Sequence, residues 1–241
     1  MTKSFIKAVF FDVGMTLIEP CPDIDGMFFE VARGRGHQLS REEVSSHLDA
    51  VNGFYEKAYR ANGDFWCVPE SAAQMYLDMY RLMGRLVGLE EDAEAIAQHV
   101  HQEYLQAHAW KVYDDVKPCL EALGNLGIRL GVISNWAPNL PRLLEGLALR
   151  PYFEEVVPSA AVGHRKPHKA IFELALERMG LDCAEAVHVG DTLDSDGVGA
   201  RDAGLLPVII DRQRQHEGCG FTRLFSLTEL PTLVAGMDVG F

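Results

Sequence analysis

The chain has few cysteines, and none of them are spaced in pairs. Five thiols without a CxxC motif are scattered over 241 residues: Cys21, Cys67, Cys119, Cys183 and Cys219. Structural zinc sites and disulfide frameworks show paired or regularly spaced cysteines, so neither is expected here. Reduced thiols are the usual state in a cytoplasmic protein, and we expect that location.

Long apolar runs are missing as well. No stretch of the sequence approaches the ~20 apolar residues that a membrane-spanning helix needs. The first residues lead into a short strand-like run, which differs from the apolar core of a signal peptide. We therefore expect no association with a membrane.

Basic side chains are in the minority. The sequence has 22 lysines and arginines against 35 aspartates and glutamates, which gives a formal net charge of -13. An acidic surface repels polyanions at long range, so nucleic acid is not an expected partner. A small phosphorylated ligand is compatible with this charge if a bound cation reverses the local field.

Apolar runs rich in β-forming residues alternate with helical segments in two parts of the chain. The first predicted strand, Ala8–Phe11, ends at Asp12, and the alternation resumes after Val112. Strands that alternate with helices predict a parallel sheet with helices on both faces. Residues 21–111 instead show helical periodicity and lack β-branched runs.

The sequence therefore predicts an α/β fold with a Rossmann-like parallel-sheet core interrupted by an inserted α-helical domain. The core comprises residues 1–20 and 112–241, and the insert comprises residues 21–111. Helices of the insert are predicted near residues 25–33, 41–60, 71–87 and 91–109. Ser40 and Ser71 are the residues that we expect to cap the second and third of these helices.

Polar side chains follow three predicted strands at the point where each strand ends. They are Asp12, Ser134 and Asp191, and a further acidic residue, Asp196, lies on the loop after Asp191. In parallel sheets of this kind, ligands bind at the carboxyl ends of the strands. Mg²⁺ prefers hard oxygen ligands, often two carboxylates with waters and a phosphate oxygen. Asp12 and Asp191 are candidates for those carboxylates, with Asp196 supporting a metal-bound water.

A simpler interpretation of residues 191–196 is a solvated acidic helix start. The apolar strands that lead into both acidic loops favour the site. Two further groups suit a phosphoryl ligand: the hydroxyl of Ser134, and Lys166, which the rigid Pro167 helps to aim. A lysine between carboxylates and a phosphate neutralises charge and stabilises the transition state.

Taken in order, these segments resemble the four signature motifs of the haloacid dehalogenase (HAD) superfamily. The segments are residues 12–17, 132–135, 166–167 and 190–196. The helical insert is similar to the C1-type cap that such proteins carry between the first and second motifs. Each motif alone is weak, but four in order at predicted strand ends are specific.

The resemblance implies covalent catalysis. Asp12 would attack phosphorus and form an aspartyl-phosphate, which splits one difficult step into two easier ones. Ser134 would donate a hydrogen bond to the phosphoryl group, and Lys166 would bridge that group and Asp12. The catalytic residues implied are therefore Asp12, Lys166 and Ser134.

The resemblance also implies a metal site and a substrate site. Magnesium would be held by Asp12, the backbone carbonyl of Gly14 and Asp191, with Asp196 behind them. Thr16 would shape the loop after the nucleophile. The implied substrate-binding residues are Ser134, Asn135, Thr16 and Lys166, and the implied partner is a small phosphorylated substrate. Trp136, directly after Asn135, is a further candidate for substrate contact by its position, and it fits a packing role under the cap equally well. We expect a monomer or a homodimer.

Position 14 departs from the phosphatase pattern. HAD phosphatases usually carry there a second aspartate that protonates the leaving group and later activates water, whereas this chain has Gly14. Losing a positioned general acid and base costs ~10²–10⁴ in rate. One interpretation is a phosphatase that hydrolyses good leaving groups, such as acyl or aryl phosphates, or that borrows a proton relay from the cap.

Two other interpretations stay open. Dehalogenase-type carbon–halogen hydrolases also lack the second aspartate, but they lack the magnesium aspartate of motif four, which this chain keeps as Asp191. A phosphonate hydrolase would need an activated cap lysine, and nothing marks Lys57 as one. A third interpretation is a weakly catalytic or non-catalytic relative that binds a phosphorylated ligand.

The predicted insert says little about the substrate. Its histidines titrate near neutrality, but each taken singly fits a surface position; they are His37, His47, His99, His101 and His108. Aromatic residues at helical spacing are more often core than pocket lining; those considered are Phe28, Phe29, Phe54, Tyr55, Phe65 and Trp66.

Overall fold

A computed structural model describes residues 4–239 of the chain. Its strands are β1 (Ser4–Phe5), β2 (Ala8–Phe11), β3 (Ile18–Pro20), β4 (Trp110–Val112), β5 (Arg129–Ser134), β6 (Glu155–Pro158), β7 (Ala186–Gly190), β8 (Leu206–Ile210), β9 (Thr222–Leu224) and β10 (Asp238–Val239). Its α-helices are α1 (Ile24–Gly34), α2 (Arg41–Ser45), α3 (Leu48–Asn62), α4 (Pro69–Leu86), α5 (Ala93–Tyr104), α6 (Val116–Asn125), α7 (Leu140–Gly146), α8 (Ser159–Val162), α9 (Lys169–Met179), α10 (Gly199–Asp202) and α11 (Leu230–Gly236).

Six parallel strands form the central sheet, in the order β6-β5-β2-β7-β8-β9. Successive side chains of β2 point to opposite faces, because a strand has a period of two. Val9 and Phe11 pack with α6 and α7 on one face, while Ala8 and Phe10 pack with α9 on the other. Both faces are covered by helices, so the predicted α/β class with a parallel sheet is confirmed.

Strand β2 lies between β5 and β7 in this sheet. The chain runs from β5 to β6 on one side of β2 and from β7 to β9 on the other, so the strand order reverses at β2. Ligands in open α/β sheets bind beside such a reversal, outside the carboxyl ends of the strands. Asp12 comes directly after β2 and therefore stands at that point.

The helices between β3 and β4 pack around a hydrophobic cluster of their own. Its fully buried members include Phe28, Val51, Ile96 and Val100. The chain leaves and re-enters this helical region through the antiparallel pair β3–β4, in which Ile18 faces Val112 and Pro20 faces Trp110. The separate cluster supports the division into core and cap domains at residues 20/21 and 111/112, which stays a prediction, as does the C1 subtype.

Two helix predictions were wrong in detail. The segment predicted as one helix over residues 41–60 is two helices, α2 and α3, and the hydroxyls of Ser45 and Ser46 bond to carbonyls of α2 where it ends. Such local side-chain bonds compete with helix continuation. Ser71 lies inside α4, which begins at Pro69; proline is preorganised for that first helical position. Ser40 does cap α2, through a capping box with Glu43.

Within residues 4–239, none of the helices combines the length and the apolar character needed to cross a bilayer.

The contact between α4 and α5 depends on a glycine. A Cβ built on Gly84 would lie 2.7 Å from Cβ and 3.0 Å from Cα of Ala93. We expect Gly84→Ala to lower the free energy of unfolding by about 1–2 kcal/mol, because the strain of overpacking exceeds the gain in helix propensity. The unfolding midpoint would fall by about 2–6 °C in a calorimetric scan.

Gly53 in α3 is the matched control, since a Cβ there would meet nothing within 4 Å. Gly53→Ala is expected to raise the midpoint by about 1–4 °C through helix propensity alone. A stabilised Gly84→Ala variant would contradict the proposed packing.

Candidate active site

Three predicted polar residues meet at the carboxyl end of the sheet. The Asp12 carboxylate is buried after β2, and its Oδ1 accepts a hydrogen bond from Ser134 Oγ at 2.9 Å. The same Oδ1 accepts from Lys166 Nζ at 2.6 Å. These residues are 122 and 154 positions from Asp12 along the chain, so they meet only in the folded protein.

Lys166 is fully buried and forms two ion pairs. Its ammonium lies 2.6 Å from Asp12 Oδ1 and 2.6 Å from Asp196 Oδ1. Burial by itself would lower the pKa of Lys166, but the carboxylates of Asp12 and Asp196 more than offset this and raise it. The lysine therefore stays charged and neutralises part of the acidic site.

Asn135 holds the backbone of Lys166 in place. The Lys166 N–H donates to Asn135 Oδ1 at 2.8 Å, and Asn135 Nδ2 donates to the Lys166 carbonyl at 3.1 Å. Arg165 Nη1 donates to the same carbonyl at 3.1 Å. Asn135 lines the pocket as well, so its predicted contact with substrate stays a prediction beside this positioning role.

Asp196 is buried and surrounded by donors. Its Oδ1 accepts from Lys166 and from His188 Nε2, the latter at 2.9 Å, and its Oδ2 accepts from the Thr192 N–H at 3.0 Å. Burial alone would raise the pKa of Asp196, but Lys166 and His188 hold it below its usual range. A Cβ at Gly190 would lie 2.1 Å from the Asp196 Cγ, so only glycine leaves room for this carboxylate.

Sequence reasoning missed His188. It lies within the fully buried strand β7, and its ring packs edge-on against Phe172 at 5.1 Å between centroids. Burial lowers the pKa of His188 despite Asp196, so the ring is neutral and donates from Nε2. The signal in the sequence was a lone imidazole in an otherwise apolar strand, two residues before Gly190.

A cluster of three carboxylates opens toward the pocket. Oxygens of Asp12, Asp191 and Asp196 all lie within 4.8 Å of one another. Burial, followed by repulsion from Asp12 and Asp196, raises the pKa of Asp191 to about 8. Hard oxygen donors crowded at this distance fit a divalent cation such as Mg²⁺, which would relieve the repulsion. The Gly14 carbonyl as a further ligand stays a prediction.

The pocket above Asp12 has a volume of about 480 Å³ and is lined by both parts of the chain. The core contributes Gly14, Met15 and Trp136 beside the acidic residues, and the helical insert contributes further side chains. Of the aromatic residues assigned to the cap core from the sequence, Tyr55 and Trp66 line this pocket; the other insert residues that line it were not considered from the sequence, and they are Ile24, Asn52, Tyr59, Tyr76 and Met79.

In the loop after Asp12, the predicted residue Thr16 lies outside the pocket lining, and Met15, for which no role was predicted, is part of it. Thr16 is fully buried outside the pocket lining, and its carbonyl accepts from Arg212 Nη2 at 2.8 Å. This position is compatible with shaping the loop, whereas the predicted substrate contact has no support from it. Met15, which sequence reasoning did not select, is exposed into the pocket with a left-handed φ of 56°.

The Asn135 bonds to the Lys166 loop generate a stability prediction. Asn135→Ala removes the partner of the Lys166 N–H, so we expect the free energy of unfolding to fall by about 1–2 kcal/mol. Urea denaturation followed by circular dichroism measures this change.

Asn139 is a matched control, because its buried Oδ1 has no hydrogen-bond partner among the described residues. Asn139→Ala should change the free energy of unfolding by less than about 0.5 kcal/mol. Equal losses in the two variants would show that the clamp on Lys166 contributes nothing specific.

Comparison with known proteins places this geometry in a family. A family model for haloacid dehalogenase-like hydrolases matches residues 6–204. Glyceraldehyde 3-phosphate phosphatase from Methanopyrus kandleri is 31% identical over 220 residues, which cover 88% of this chain and 87% of the relative.

Solved structures of similar fold include both phosphatases and dehalogenases. A HAD phosphatase from Thermococcus onnurineus is 26% identical, with a TM-score of 0.64 and coverage of 97% of this chain and 100% of that one. A 2-haloacid dehalogenase from Pseudomonas syringae shares the fold at 23% identity and a TM-score of 0.66, covering 96% and 99%. With the matched region extending from before β2 to after α10, the chain belongs to the haloacid dehalogenase-like hydrolases.

Proposed function

We propose that this protein is a magnesium-dependent phosphatase that hydrolyses a small phosphorylated substrate through an aspartyl-phosphate on Asp12. The observation that carries the proposal is the buried group in which Asp12 Oδ1 accepts from both Ser134 and Lys166 beside two further carboxylates. The phosphatase relatives support the same reaction class.

In the first step, the Asp12 carboxylate attacks phosphorus and the bond from phosphorus to the leaving oxygen breaks. Ser134 Oγ and Lys166 Nζ lie beside the attacking carboxylate, where they can donate to the phosphoryl oxygens as charge builds on them. Because buried contacts fix the position of both groups, the main change when substrate arrives is that the Ser134 O–H turns from Asp12 to the phosphoryl group. In the second step, water cleaves the aspartyl-phosphate, which releases phosphate and restores Asp12.

The metal would be held by Asp12, Asp191 and the carbonyl of Gly14, with Asp196 supporting a metal-bound water. Bound magnesium would supply positive charge against the phosphate and the three carboxylates. Asp196 is already committed to Lys166, His188 and Thr192, which favours a supporting position for it over direct ligation.

The helical insert would exclude water during the reaction. Ser159, at the carboxyl end of β6, donates to the Trp66 carbonyl at 2.7 Å, and the Arg165 guanidinium lies 4.9 Å from the Tyr59 ring centroid. These contacts join insert and core around the pocket. Opening them would admit substrate, and closing them would shield the aspartyl-phosphate.

Carbon–halogen hydrolysis is the main alternative, since dehalogenases share the fold. The crowded carboxylates favour the phosphatase. A hydrolase that uses no metal has no need of three carboxylates that repel one another unless a cation is bound between them. Halide release from 2-haloacids without added metal would instead establish the dehalogenase. Ligand-induced thermal stabilisation by phosphorylated compounds, without turnover, would establish a binding protein.

Replacing the nucleophile tests the mechanism. Asp12→Asn is nearly isosteric but cannot attack phosphorus, so we expect hydrolysis of acetyl phosphate and 4-nitrophenyl phosphate to fall by at least about 10³-fold. Phosphate release is measured with about 5 mM Mg²⁺ and, separately, with about 5 mM EDTA. Turnover by the wild type should require the metal.

Thermal unfolding gives a second readout that does not depend on turnover. Magnesium should raise the unfolding midpoint of the wild type and have little effect on Asp191→Asn, which loses a charged ligand. Turnover that survives Asp12→Asn, or that is indifferent to EDTA, would rule out the proposed mechanism.

Placing an acid at position 14 tests whether the lack of a side chain at Gly14 limits catalysis. A Cβ at Gly14 would lie 3.5 Å from Trp136 Cζ3, an ordinary contact, so the Gly14→Asp side chain can be built. If proton transfer limits the hydrolysis of substrates with poor leaving groups, this change should raise the turnover of alkyl phosphates by about tenfold or more. The turnover of acetyl phosphate should rise little.

Gly14→Asn is the matched control, because it has the same shape and cannot exchange a proton at neutral pH. Equal rates for the two variants would show that the side chain at position 14 does not limit the reaction through acid or base catalysis.

A further inference from the structure

A second cavity of about 480 Å³ adjoins the pocket above Asp12 and is walled by aromatic rings. Six rings follow one another around it, with centroids 5.1–6.3 Å apart at each step. We call this set the ring belt; its members, in order, are Trp136, Trp110, Tyr104, Tyr80, Tyr76 and Trp66.

The two ends of the ring belt are joined through Ser159. Its Oγ donates to the Trp66 carbonyl at 2.7 Å and accepts from the Trp136 N–H at 3.1 Å. Trp66 belongs to the helical insert, and Trp136 follows β5 in the core. The belt is therefore nearly closed, and it is built from both parts of the chain.

Three of the six belt residues have their side-chain hydrogen-bonding group engaged within the protein. Trp66 Nε1 donates to the Tyr55 hydroxyl at 3.0 Å, Trp110 Nε1 donates to the Tyr104 carbonyl at 2.9 Å, and the Tyr104 hydroxyl donates to the Pro22 carbonyl at 2.9 Å. What these three side chains offer the cavity is thus their apolar faces.

The cavity wall carries no aspartate, glutamate, lysine or arginine among the described residues that line it. Its titratable imidazole is that of His101, whose pKa burial lowers, so the ring is neutral at physiological pH. Such a wall gives nothing to balance a second phosphate or a carboxylate. A cavity of this volume, lined by aromatic side chains, suits an uncharged apolar group.

Gly14 and Trp136 lie on the border of the two cavities, because both line each of them. Met15, Ile24, Trp66 and Tyr76 line both cavities as well, and the Trp136 ring stands 3.5 Å from where a Cβ on Gly14 would be. A phosphate held at Asp12 would therefore direct its ester substituent past Gly14 into the ring belt.

We propose that the ring belt binds the leaving group of the substrate and that this group is an uncharged aromatic alcohol, so that the substrate is an aryl phosphate. This inference rests on the proposed phosphatase function and narrows its substrate class. Stacking and edge contacts with the belt would hold the aromatic ring of such a substrate.

The absence of a general acid agrees with this substrate class. When Asp12 attacks phosphorus, the bond from phosphorus to the aryl oxygen breaks and its electron pair leaves with that oxygen. A phenolate is stable enough to depart without a proton, which it then takes from solvent. An alkoxide is far less stable, and an alkyl phosphate would need the acid that Gly14 does not supply.

Steady-state kinetics with a graded substrate set provide the first test. In kcat/KM, 2-naphthyl phosphate should exceed phenyl phosphate by about tenfold, because the second ring buries more apolar surface. Glycerol 3-phosphate and ribulose 1,5-bisphosphate should lie at least about 100-fold below 2-naphthyl phosphate. Acetyl phosphate has no aromatic ring, so its hydrolysis reports on the chemistry at Asp12 without a contribution from the ring belt.

Cavity-filling variants provide the second test. Ala73 of α4 lines the cavity, whereas Ser71 on the same helix is exposed. Ala73→Phe should lower the ratio of kcat/KM for 2-naphthyl phosphate to that for acetyl phosphate by at least about tenfold, and Ser71→Phe should leave it unchanged. Ala137→Phe fills the cavity from the core side and serves if Ala73→Phe does not fold.

Calorimetric titration with 2-naphthol tests the cavity without any turnover. The wild type should bind 2-naphthol, Ser71→Phe should bind it equally, and the folded filling variant should bind it at least about tenfold more weakly. Absent binding, or equal binding by the filling variant, would overturn the inference. So would a higher kcat/KM for glycerol 3-phosphate or ribulose 1,5-bisphosphate than for 2-naphthyl phosphate.

The two proposals fail separately in these experiments. Asp12-dependent turnover of acetyl phosphate with no preference for naphthyl esters would leave the phosphatase standing and reject the ring-belt assignment. Specific binding of 2-naphthol without turnover of any phosphate would support the ring belt as an aromatic-ligand site and reject the phosphatase.

Discussion

The Lys166 ammonium between Asp12 and Asp196 is the interaction on which the rest of the site depends. Two carboxylates buried this closely would repel each other and protonate if no cation separated them. With the lysine 2.6 Å from each, Asp12 Oδ1 is fixed and Asp196 is kept ionised. Breaking such a buried pair from one side leaves an uncompensated charge, which is costly in the interior.

Much of the local structure serves to hold that lysine. Asn135 clamps its peptide from both sides, and Gly190 leaves room for the carboxylate on its far side. His188 adds a neutral donor from within β7, so Asp196 does not depend on the lysine alone. The order of the sheet explains why these contacts are possible, since β5 and β7 flank β2 and bring their carboxyl ends to Asp12.

Residue patterns predicted the fold and the meeting of Asp12, Ser134 and Asp191, because strand periodicity and strand ends are local signals. Lys166 lies on a loop and was predicted only from its place in the set of motifs. They could not place His188 in the site, since a buried imidazole in a strand has the same local pattern as a core residue. Nor could they separate α2 from α3, where side-chain bonds of Ser45 and Ser46 decided the outcome. Aromatic spacing indicated helix core for Trp66, whereas the structure puts this ring on two cavity walls. Tertiary packing, which no short window contains, placed His188 and Trp66, whereas local side-chain bonds ended α2.

The ring belt has a consequence for how this protein can change over time. Its rings come from the insert and from the core, and Ser159 ties the two ends together. The cavity therefore has its shape only when the two parts of the chain are in contact. A substitution on the belt alters the fit of a ligand and the contact between the two parts in the same event. At the six belt positions, ligand preference and closure of the pocket are thus inherited together.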